Sequence, residues 1–514
     1  MEEAKTANIC IPVCVQRARD LARTIARAAR IGNIIELRLD CLAGAELDQA
    51  LRDLGALMRS QSCPFIMTVR PVEQGGQHEI NSVNRVSFWL DHFAYNDEFR
   101  GFADIELDLA LLLTDSARLD WSRVICSHHD FTGTTTAADL KDIYARMAST
   151  PARILKIAVL ANEITDCLPM FALLERARRE GREMIAIAMG EAGLLTRILG
   201  PSRGAFLTYG SLEAESATAP GQTSATNLRD LYRVPKLDQQ TEIMGLMGQP
   251  VAHSVSPHMH NAAFNAFGLN AVYIPFEVRD AKAFLQRMAH PRSREMNWNL
   301  RGLSVTAPHK NAVLEHLDWI DPPAREIGAI NTIVIRDDEL HGYNTDAATL
   351  IAPLLDKTGS LRDQRVALVG AGGAARAALW GLHKEGAHTS LFARNIERAR
   401  PLAEEFDASF EQLDGASFDG FDVVINATPL GTRGQSEDET PAVATQLRGA
   451  RIAYDLVYNP LETRFMREAH QAGCETIGGL AMLVAQAAEQ FHLWTDKTAP
   501  VEVMCEAALH ALRH

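Results

Sequence analysis

Short apolar runs alternate with amphipathic segments through the first part of the chain. Eight runs rich in β-branched and other apolar residues have the length and composition of buried strands. They occupy residues 8–15, 34–40, 64–70, 102–108, 123–130, 152–159, 182–190 and 205–210. The segments between them, such as 15–32 and 137–149, carry the polar and apolar spacing of helices. Eight strands that alternate with helices over about 220 residues predict a (β/α)8 barrel.

Ionisable residues stand within these runs or directly after them. In a (β/α)8 barrel the carboxyl ends of the strands form the reacting face, so side chains from several strands meet in one pocket. The residues placed in this way are Glu36, Arg38, Arg70, Asp104, His129, Lys156 and Arg197. We therefore expect an active site at this face of the barrel.

The pattern changes twice after the barrel. Residues 218–241 are rich in Thr, Ser, Pro and Gln, which favours barrel closure followed by a linker. A strand and a Gly-containing loop begin at Ile243, and a strand, a Gly-rich turn and a helix begin at Arg365. The sequence predicts an α/β fold throughout, with the barrel over 1–228 and the linker over 229–241.

Composition and charge narrow the class of protein. A chain of 514 residues is too long for one hydrophobic core, and 47% apolar residues suffice for packed domains. The net charge of −14 argues against a nucleic-acid partner, because phosphate binding needs clustered Lys and Arg. The N-terminal segment resembles no signal peptide, and no apolar window is long enough for a membrane span. We expect a cytoplasmic protein without a membrane partner.

The cysteines predict no metal site. Eight Cys are scattered along the chain, and only Cys10 and Cys14 are close in sequence. No group of Cys and His has the spacing of zinc ligands. We expect reduced, buried thiols.

Lys156 and His129 are the candidate catalytic pair of the barrel. A nucleophilic amine must be unprotonated, which requires burial or nearby positive charge. Lys156 lies in the middle of an apolar strand, with no carboxylate close in sequence; the alternative is a lysine that reaches solvent at a strand end. His129 follows the preceding strand, and a neutral imidazole can take and return a proton near pH 7. Alone, it would more often be a core or surface histidine.

Seven ordered motifs give the first half a family resemblance. ELRLD, TVR, DIEL, SHHDF, LKIA, MGEAGLLTR and TAPGQ follow one another over residues 8–225, and this region resembles the type I 3-dehydroquinate dehydratases. The resemblance implies that Lys156 forms an imine with the substrate ketone. It implies that His129 removes the adjacent proton and protonates the departing hydroxyl, and that Arg197 binds the carboxylate. The other implied substrate-binding residues are Glu36, Arg38, Arg70, Thr218 and Gln222.

Two positions depart from that family's pattern. The family places Glu directly before the Gly-Gly that follows TVR, where it orients the catalytic histidine; here Gln74 occupies that position, and Glu73 precedes it. Because Gln cannot stabilise an imidazolium by charge, we expect His129 to be less basic than usual. Thr218 replaces the usual Ser and keeps a hydroxyl. We expect these changes to affect rate more than reaction type.

A Gly-rich turn between a strand and a helix predicts a dinucleotide site in the second half. VALVG runs into GAGGAAR and then into the helix-like AALWGL, the context in which a helix N-terminus binds phosphate. A site for NAD has an acidic residue after the next strand. Here that strand is followed by Arg394 and Arg398, which would attract a 2′-phosphate and favour NADP. The alternative is an ordinary pair of helix-surface charges.

The rest of this half resembles the shikimate dehydrogenases over residues 242–514. The motifs are GQPVAHSVSPHMHN, SVTAPHK, IGAINT, GYNTD, NATPLG, DLVYNP and GGLAMLVAQAA. The resemblance implies a substrate lobe over 242–346 and 487–514 and an NADP-binding lobe over 347–486. Ser304 stands where Asn is frequent, and Ala393 and Asn395 flank Arg394 where Asn and Thr are usual, so cofactor preference is less firmly indicated than the reaction.

The same resemblance implies residue roles in the second site. Lys310 and Asp346 would form the dyad at the carbonyl that accepts hydride. The implied substrate-binding residues are Ser254, Ser256 and Tyr458 at the carboxylate and Thr306, Asn331 and Gln486 at ring oxygens. The implied cofactor-binding residues are Gly370, Ala371, Gly372, Gly373, Ala374, Arg394, Arg398, Thr428 and Gly479.

The two resemblances together imply a bifunctional enzyme of the shikimate pathway. The dehydratase would convert 3-dehydroquinate to 3-dehydroshikimate, which the dehydrogenase would reduce to shikimate with NADPH. One alternative is an NAD-linked quinate dehydrogenase in the second half, although Ser256 and Thr306 favour shikimate. Another is a non-catalytic ligand sensor, which predicts a lost Lys or His and an added DNA-binding module; neither is visible. The sequence leaves the oligomeric state open.

Overall fold

The chain folds into two compact units. A computed structural model describes residues 7–79, 81–93, 101–213, 216–434 and 436–513, with the side chain of residue 398 excepted. One unit holds the chain up to Thr241 together with Phe276–Met288 and Arg294–Asn299. The other holds Glu242–Pro275, Ala289–Ser293 and the chain from Leu300 onward.

The first unit contains a barrel of eight parallel strands. They are β1 (Ile9–Val13), β2 (Ile34–Arg38), β3 (Phe65–Thr68), β4 (Gly101–Glu106), β5 (Val124–Asp130), β6 (Ile154–Leu160), β7 (Glu183–Met189) and β8 (Thr208–Tyr209). Each strand from β1 to β7 lies beside its neighbours in sequence, and β8 lies beside β1. A bridge between Met184 and Ala205 brings the two ends of the sheet together. The predicted barrel is confirmed.

Seven α-helices accompany these strands among the described residues. They are α1 (Leu21–Ala28), α2 (Ala45–Arg59), α3 (Ser82–His92), α4 (Leu107–Leu113), α5 (Ala137–Ala148), α6 (Cys167–Arg179) and α7 (Leu194–Leu199). Helix α1 buries Leu21, Ile25 and Ala28, the spacing of one helix face. Helix α5 begins with a capping box in which Thr136 and Asp139 satisfy each other's backbone N–H groups.

Alternation along the strands decides which side chains reach the inside of the barrel. Ile34, Ile125 and Ile154 belong to one buried apolar cluster within it. Successive side chains of a strand point to opposite faces, so residues two and four positions later share the inward face. Lys156 follows Ile154 by two positions and His129 follows Ile125 by four, which carries both to the carboxyl end above the apolar cluster.

A six-stranded mixed sheet begins the second half of the chain. Its strands are β9 (Glu242–Gly248), β10 (Ala271–Glu277), β11 (Leu300–Val305), β12 (Trp319–Ile320), β13 (Thr332–Arg336) and β14 (Glu339–Tyr343). Their order is β10-β9-β11-β13-β14-β12. Strand β11 pairs parallel to β9 and antiparallel to β13.

A six-stranded parallel sheet follows. Its strands are β15 (Arg365–Val369), β16 (His388–Ala393), β17 (Ser409–Gln412), β18 (Val423–Asn426), β19 (Ile452–Asp455) and β20 (Glu475–Ile477). The order β17-β16-β15-β18-β19-β20 reverses direction between β15 and β18. This is the strand order of a Rossmann fold, which opens a ligand crevice at the point of reversal. The predicted α/β fold of this half is confirmed.

The helices of the second half connect and cover these sheets. They are α8 (Ser256–Ala266), α9 (Ala281–Phe284), α10 (Pro322–Ile327), α11 (Asp346–Thr358), α12 (Gly373–Lys384), α13 (Ile396–Glu405), α14 (Ala444–Leu447), α15 (Arg464–Ala472), α16 (Leu480–Thr495) and α17 (Val501–Arg513). The predicted lobe boundaries fall at the first residue of α11 and inside α16, and the division into lobes stays a prediction. Within the described ranges, every helix is too short or too polar to cross a membrane.

The cysteine prediction is wrong at two positions. Cys14 and Cys41 form a disulfide, with their Cα atoms 5.5 Å apart. They are 27 positions apart in sequence, but they follow the neighbouring strands β1 and β2. Parallel neighbours end at the same edge of a sheet, so distance along the chain was a poor guide to this pairing. The other six cysteines have free thiols.

Candidate active sites

The carboxyl ends of the barrel strands surround a cavity of about 470 Å³. Strand alternation directs Glu36, His129 and Lys156 inward, while Arg197 comes from α7 and Gln222 from the segment after β8. All eight residues predicted for this site line the cavity: Glu36, Arg38, Arg70, His129, Lys156, Arg197, Thr218 and Gln222. The structure therefore brings together residues that are spread over nearly two hundred positions of sequence.

Lys156 is buried, with 4% of its surface exposed. Its Nζ donates hydrogen bonds to Asp104 Oδ2 at 2.7 Å and to the Tyr209 hydroxyl at 2.9 Å. Glu36 Oε1 lies 3.6 Å from the same nitrogen. The alternative of a lysine that extends to solvent does not hold, because the nitrogen stays inside the cavity wall.

A chain of buried charges continues from Lys156 into the barrel. Arg70 contacts Asp104 at 2.8 Å and Glu106 at 3.0 Å, and Arg85 contacts the other oxygen of Glu106 at 2.9 Å. Burial alone would raise the pKa of Asp104, but Arg70 and Lys156 outweigh it and hold that pKa well below its usual range. Burial and the neighbouring Asp104 raise the pKa of Glu106 to about 7. Asp104 is thus a permanent negative charge beside the lysine.

His129 is placed to act as a neutral base. Burial lowers its pKa well below the usual value, and the cations Arg70 and Lys156 lower it further. Its Nδ1 has no hydrogen-bond partner among the described residues. Gln74 accepts a hydrogen bond from the backbone N–H of His129 at 3.1 Å. The Gln74 side chain therefore holds the backbone of His129, and this hydrogen bond is not made to the imidazole ring.

Arg197 is a buried cation without an acidic partner in the described part of the chain. It is 1% exposed, and its two terminal nitrogens reach only the carbonyl oxygens of Tyr209 and Pro220, at 3.4 and 3.5 Å. Its Nε has no partner among the described atoms. Burial lowers its pKa to about 10. Because an uncompensated buried charge is costly, this guanidinium suits an anionic ligand.

A second cavity, of about 740 Å³, lies in the second unit. Strand ends, helix starts and loops contribute to its wall. The eight residues predicted to bind or transform a substrate here all line it: Ser254, Ser256, Thr306, Lys310, Asn331, Asp346, Tyr458 and Gln486. Two predicted cofactor residues, Ala374 and Gly479, line it as well.

Lys310 and Asp346 form an ion pair in this wall. Lys310 Nζ donates to Asp346 Oδ2 at 2.5 Å, and Asn331 Nδ2 donates to Asp346 Oδ1 at 2.8 Å. The carboxylate is also the first residue of α11, where the helix N-terminus favours a negative charge. Asp346 therefore fixes the direction of the lysine, and Asn331 fixes the direction of Asp346.

A chain of polar side chains completes the wall of this cavity. The Tyr273 hydroxyl donates to Ser304 Oγ at 2.7 Å, and Ser304 Oγ donates to Gln490 Oε1 at 2.7 Å. Gln490 Nε2 donates to the carbonyl oxygen of Asn331 at 3.2 Å. Gln490 was not among the predicted residues. It lies one helical turn after Gln486, so its spacing from that residue could have identified it.

The Gly-rich turn has the shape that a phosphate loop requires. Gly370 has a φ of 116°, and a Cβ there would lie 2.9 Å from the carbonyl oxygen of Ala427. Gly372 is the N-cap of α12, so backbone N–H groups at the helix start are available for phosphate. A Cβ at Gly373 would lie 3.1 Å from Lys310 Cδ, which places the turn beside the Lys310–Asp346 pair. Ala371 and Ala374 complete the predicted turn.

The remaining predicted cofactor residues surround the same end of the parallel sheet. Arg394 is exposed directly after β16, and Thr428 donates both its N–H and its hydroxyl to Asn426 Oδ1. The side chain of Arg398 lies outside the described residues. The residue that follows β16 is an arginine and not a carboxylate, so Arg394 fits a 2′-phosphate better than a free ribose hydroxyl.

Fold and cavities together define an enzyme with two active sites. One is a (β/α)8-barrel site built around a buried lysine. The other is an ion-paired lysine beside the nucleotide crevice of a Rossmann sheet. Each cavity is lined by residues of one unit only.

Known families match along the chain. The family model described as "Type I 3-dehydroquinase" matches residues 9–239. Three further models match the rest: "Shikimate dehydrogenase substrate binding domain" at 246–333, "Shikimate / quinate 5-dehydrogenase" at 354–446 and "Shikimate 5'-dehydrogenase C-terminal domain" at 479–509.

Individual relatives agree with these matches. The chain is 34% identical over 517 residues to the bifunctional 3-dehydroquinate dehydratase/shikimate dehydrogenase, chloroplastic, of Arabidopsis thaliana, covering 96% of this chain and 83% of that one. It is 41% identical over 290 residues to the shikimate dehydrogenase (NADP(+)) of Methanopyrus kandleri, covering 54% of this chain and 98% of that one. The structure of dehydroquinate dehydratase and shikimate dehydrogenase from S. pombe is 26% identical, covers 98% of both chains and has a TM-score of 0.43.

The chain belongs to the family of bifunctional 3-dehydroquinate dehydratase/shikimate dehydrogenases. It joins a lyase and an oxidoreductase in one polypeptide.

Proposed function

We propose that the chain dehydrates 3-dehydroquinate to 3-dehydroshikimate in the barrel and reduces 3-dehydroshikimate to shikimate with NADPH in the second unit. The observation that carries the proposal is the pair of buried cations in the barrel cavity. Lys156 supplies an amine at the reacting centre, and Arg197 supplies an unpaired guanidinium for a substrate carboxylate. The proposal includes a barrel over 1–228, a linker over 229–241 and the two lobes of the second half.

In the barrel, the Lys156 amine attacks the ketone and forms an imine, which withdraws electrons from the neighbouring carbon. His129 is neutral near pH 7, so it accepts the proton from that carbon and returns it to the departing hydroxyl. Arg197 holds the carboxylate by a bidentate contact. The remaining contacts with ring hydroxyls come from Glu36, Arg38, Arg70, Thr218 and Gln222.

Asp104 gives the imine step its electrostatic support. The nitrogen of Lys156 is positively charged both as an ammonium and as an iminium, and Asp104 lies 2.7 Å from it. Because Arg70 and Lys156 keep the pKa of Asp104 low, this negative charge persists through the reaction. The charged iminium is the stronger electron acceptor, and the carboxylate stabilises that form.

In the second unit, Lys310 delivers a proton to the oxygen that hydride addition leaves negatively charged. Asp346 holds the ammonium in place at 2.5 Å. Hydroxyl groups of Ser254, Ser256 and Tyr458 bind the carboxylate end of the substrate. Thr306, Asn331 and Gln486 bind the ring oxygens, and all of these side chains line one cavity.

The nucleotide residues of this chain fit NADP, which supplies hydride when bound. The turn Gly370, Ala371, Gly372, Gly373 and Ala374 would hold the pyrophosphate at the start of α12. Arg394 and Arg398 would hold the 2′-phosphate, with Thr428 and Gly479 closing the pocket. The Methanopyrus relative is named as NADP(+)-dependent, which supports this cofactor.

One assay tests both reactions together. 3-Dehydroquinate is supplied with NADPH or with NADH, and products are separated over time. We expect 3-dehydroshikimate to form without a cofactor and shikimate to form only with NADPH. Oxidation of NADH at the same rate, or turnover of quinate in place of shikimate in the reverse direction, would contradict the cofactor or the substrate assignment.

Trapping tests the imine. Borohydride added with 3-dehydroquinate reduces an imine to a stable amine, so we expect a mass increase on the peptide that contains Lys156. The matched variant K156M keeps the length of the side chain and should show no increase. Turnover without any trapped adduct in the wild type would contradict the imine mechanism.

A further inference from the structure

Tyr209 contacts the reacting nitrogen of the barrel site but has no part in the mechanism above. It ends strand β8 and lines the cavity, with 6% of its surface exposed. Its hydroxyl oxygen lies 2.9 Å from Lys156 Nζ, and its ring centre lies 4.5 Å from that nitrogen. The strand pairs with β1 through Cys10, which fixes the backbone of Tyr209 against the barrel.

Three side chains from three strands surround the nitrogen, and they differ in what they can do with a proton. Asp104 is held ionised, so it only accepts hydrogen bonds. Glu36 lies farther away, at 3.6 Å, and its Oε1 already accepts a hydrogen bond from Thr68 at 2.7 Å. A phenol both accepts and donates. Tyr209 is therefore the neighbour of the nitrogen that can take one proton and give another in the same step.

The environment keeps the Tyr209 hydroxyl protonated. Burial raises its pKa well above the usual value, and the negative charge of Glu36 raises it further. The phenol therefore keeps its proton near neutral pH. It acts as a relay and not as a free base.

Imine formation needs such a relay. An ammonium and a ketone give an iminium and water, so two protons must leave the nitrogen and both must reach the carbonyl oxygen. Loss of the first proton frees the lone pair that attacks the ketone, and the nitrogen is positively charged before this transfer and again as the iminium, so Asp104 pairs with it at both ends of the sequence. His129 acts at the ring carbon and the departing hydroxyl once the imine has formed, and the Tyr209 hydroxyl is the group in hydrogen-bond contact with the nitrogen that can both accept and donate a proton.

We propose that the Tyr209 hydroxyl is a catalytic group that carries protons between the nitrogen of Lys156 and the carbonyl oxygen of the substrate. In the first transfer the hydroxyl accepts a proton from the ammonium and gives its own to the carbonyl oxygen while the carbon–nitrogen bond forms. In the second, the same exchange converts the new hydroxyl to water, which leaves as the carbon–nitrogen double bond forms. Hydrolysis of the product imine runs the two transfers in reverse. This proposal rests on the proposed function of Lys156.

Rapid mixing of the full chain with 3-dehydroquinate, followed by a borohydride quench, measures the rate at which the Lys156 adduct appears. We expect Tyr209→Phe to slow this rate at least tenfold, because general acid–base groups contribute roughly 10²–10⁴-fold and water replaces part of the relay. Tyr144→Phe is the matched control: that buried tyrosine lies on α5, and its hydroxyl donates to Glu180 at 2.7 Å outside the cavity. We expect the control to match the wild type.

Isotope exchange separates a catalytic role from a structural one. In H₂¹⁸O, reversible imine formation replaces the ketone oxygen of unreacted substrate, and this exchange does not require elimination. We expect Y209F to lose exchange and adduct formation in the same proportion, with an unchanged thermal unfolding midpoint. If Y209F unfolds below the assay temperature, 3-fluorotyrosine keeps the ring and acidifies the phenol, and an altered adduct rate is then the expected result.

The outcomes distinguish this inference from the proposal on which it rests. An adduct that forms as fast in Y209F as in the wild type overturns the role of Tyr209 and leaves Lys156 as the imine-forming residue. An unchanged adduct rate with 3-fluorotyrosine has the same meaning. A wild type that turns over without any adduct overturns the imine mechanism itself, and the relay with it.

Discussion

The sequence predicts some residues of the barrel site better than others. Lys156 and His129 stand out because a polar residue in a buried apolar strand needs a reason. Asp104 and Tyr209 contact the same nitrogen from β4 and β8, but the sequence does not show which side chains meet across a closed barrel. Tyr209 in particular lies in an apolar run, where an aromatic residue is ordinarily part of the core. The sequence therefore predicts which residues have catalytic chemistry, but it does not predict which side chains contact one another.

We predict that protonation of His129 sets the acid limit of the dehydratase. Its pKa is lowered, so the neutral base persists until the pH falls through that lowered value. We predict that kcat/KM of the wild type falls on the acid side with a midpoint below 6.5, the ordinary pKa of histidine. Initial rates of 3-dehydroshikimate formation between pH 4.5 and 9 measure this.

Gln74 offers a matched variant for the same measurement. Gln74→Glu keeps the length of the side chain and adds a negative charge beside the backbone N–H of His129. A carboxylate stabilises the imidazolium, so we expect the acid midpoint to move to higher pH. A wild-type midpoint at or above 6.5, or an unmoved midpoint in the variant, would contradict this account of His129.

We expect Arg197 to strengthen substrate binding and to lower the stability of the folded protein. Arg197→Met removes a buried, unpaired cation and keeps most of its volume. We predict that KM for 3-dehydroquinate rises roughly 10–100-fold, since a hydrogen-bonded charge contributes about 1.5–3 kcal/mol, while the thermal unfolding midpoint stays equal or rises. Steady-state kinetics and calorimetry measure the two quantities. An unchanged KM together with a lower midpoint would mean that the guanidinium is structural.

At the scale of elements, the strands were predictable because their burial is nearly complete. A parallel strand that is covered on both faces consists of a nearly continuous apolar run, and each of the eight predicted runs overlaps one barrel strand. The ends of the runs were less accurate. The run at 205–210 yields only the two residues of β8, and Ala205 forms a separate, isolated bridge with Met184. The disulfide was missed, since it joins two loops whose proximity depends on strand pairing.

The Cys14–Cys41 bond should stabilise the barrel through the loop that it closes. The two residues are 27 positions apart, and cross-linking a loop of this size contributes about 3.5 kcal/mol by restricting the unfolded chain. We predict that the double variant C14S/C41S loses about this free energy of unfolding in urea, and that dithiothreitol has the same effect on the wild type. Cys63→Ser, at a half-buried free thiol, is the control. An equal loss in the control would contradict the role of the bond.

At the scale of the whole molecule, each active site is complete within its own unit. The two reactions share 3-dehydroshikimate, and fusion raises its local concentration without requiring direct transfer. The family and the order of the two activities could be predicted, because ordered motifs cover both halves. The independence of the two sites could not be predicted from the sequence, because it depends on which strands and helices contribute to each cavity.

Complementation tests this independence. A mixture of K156A, which lacks the proposed imine-forming lysine, with K310A, which lacks the proposed proton donor, should convert 3-dehydroquinate to shikimate after a lag, because the intermediate passes through solution. Each variant alone should give no shikimate. A mixture that stays inactive, although each variant retains its other activity, would mean that the intermediate must stay on one chain.

The close approach of Gly373 to Lys310 couples two tasks that are usually treated as separate. A methyl group at 373 would lie 3.1 Å from Lys310 Cδ, so the stem of the lysine that pairs with Asp346 would have to shift by a few tenths of an ångström to admit it. A substitution at Gly373 made to alter the coenzyme preference is therefore expected to reach the proton donor as well. At Gly372, by contrast, a Cβ would meet no atom within 4 Å, so a side chain has room at this position of the turn.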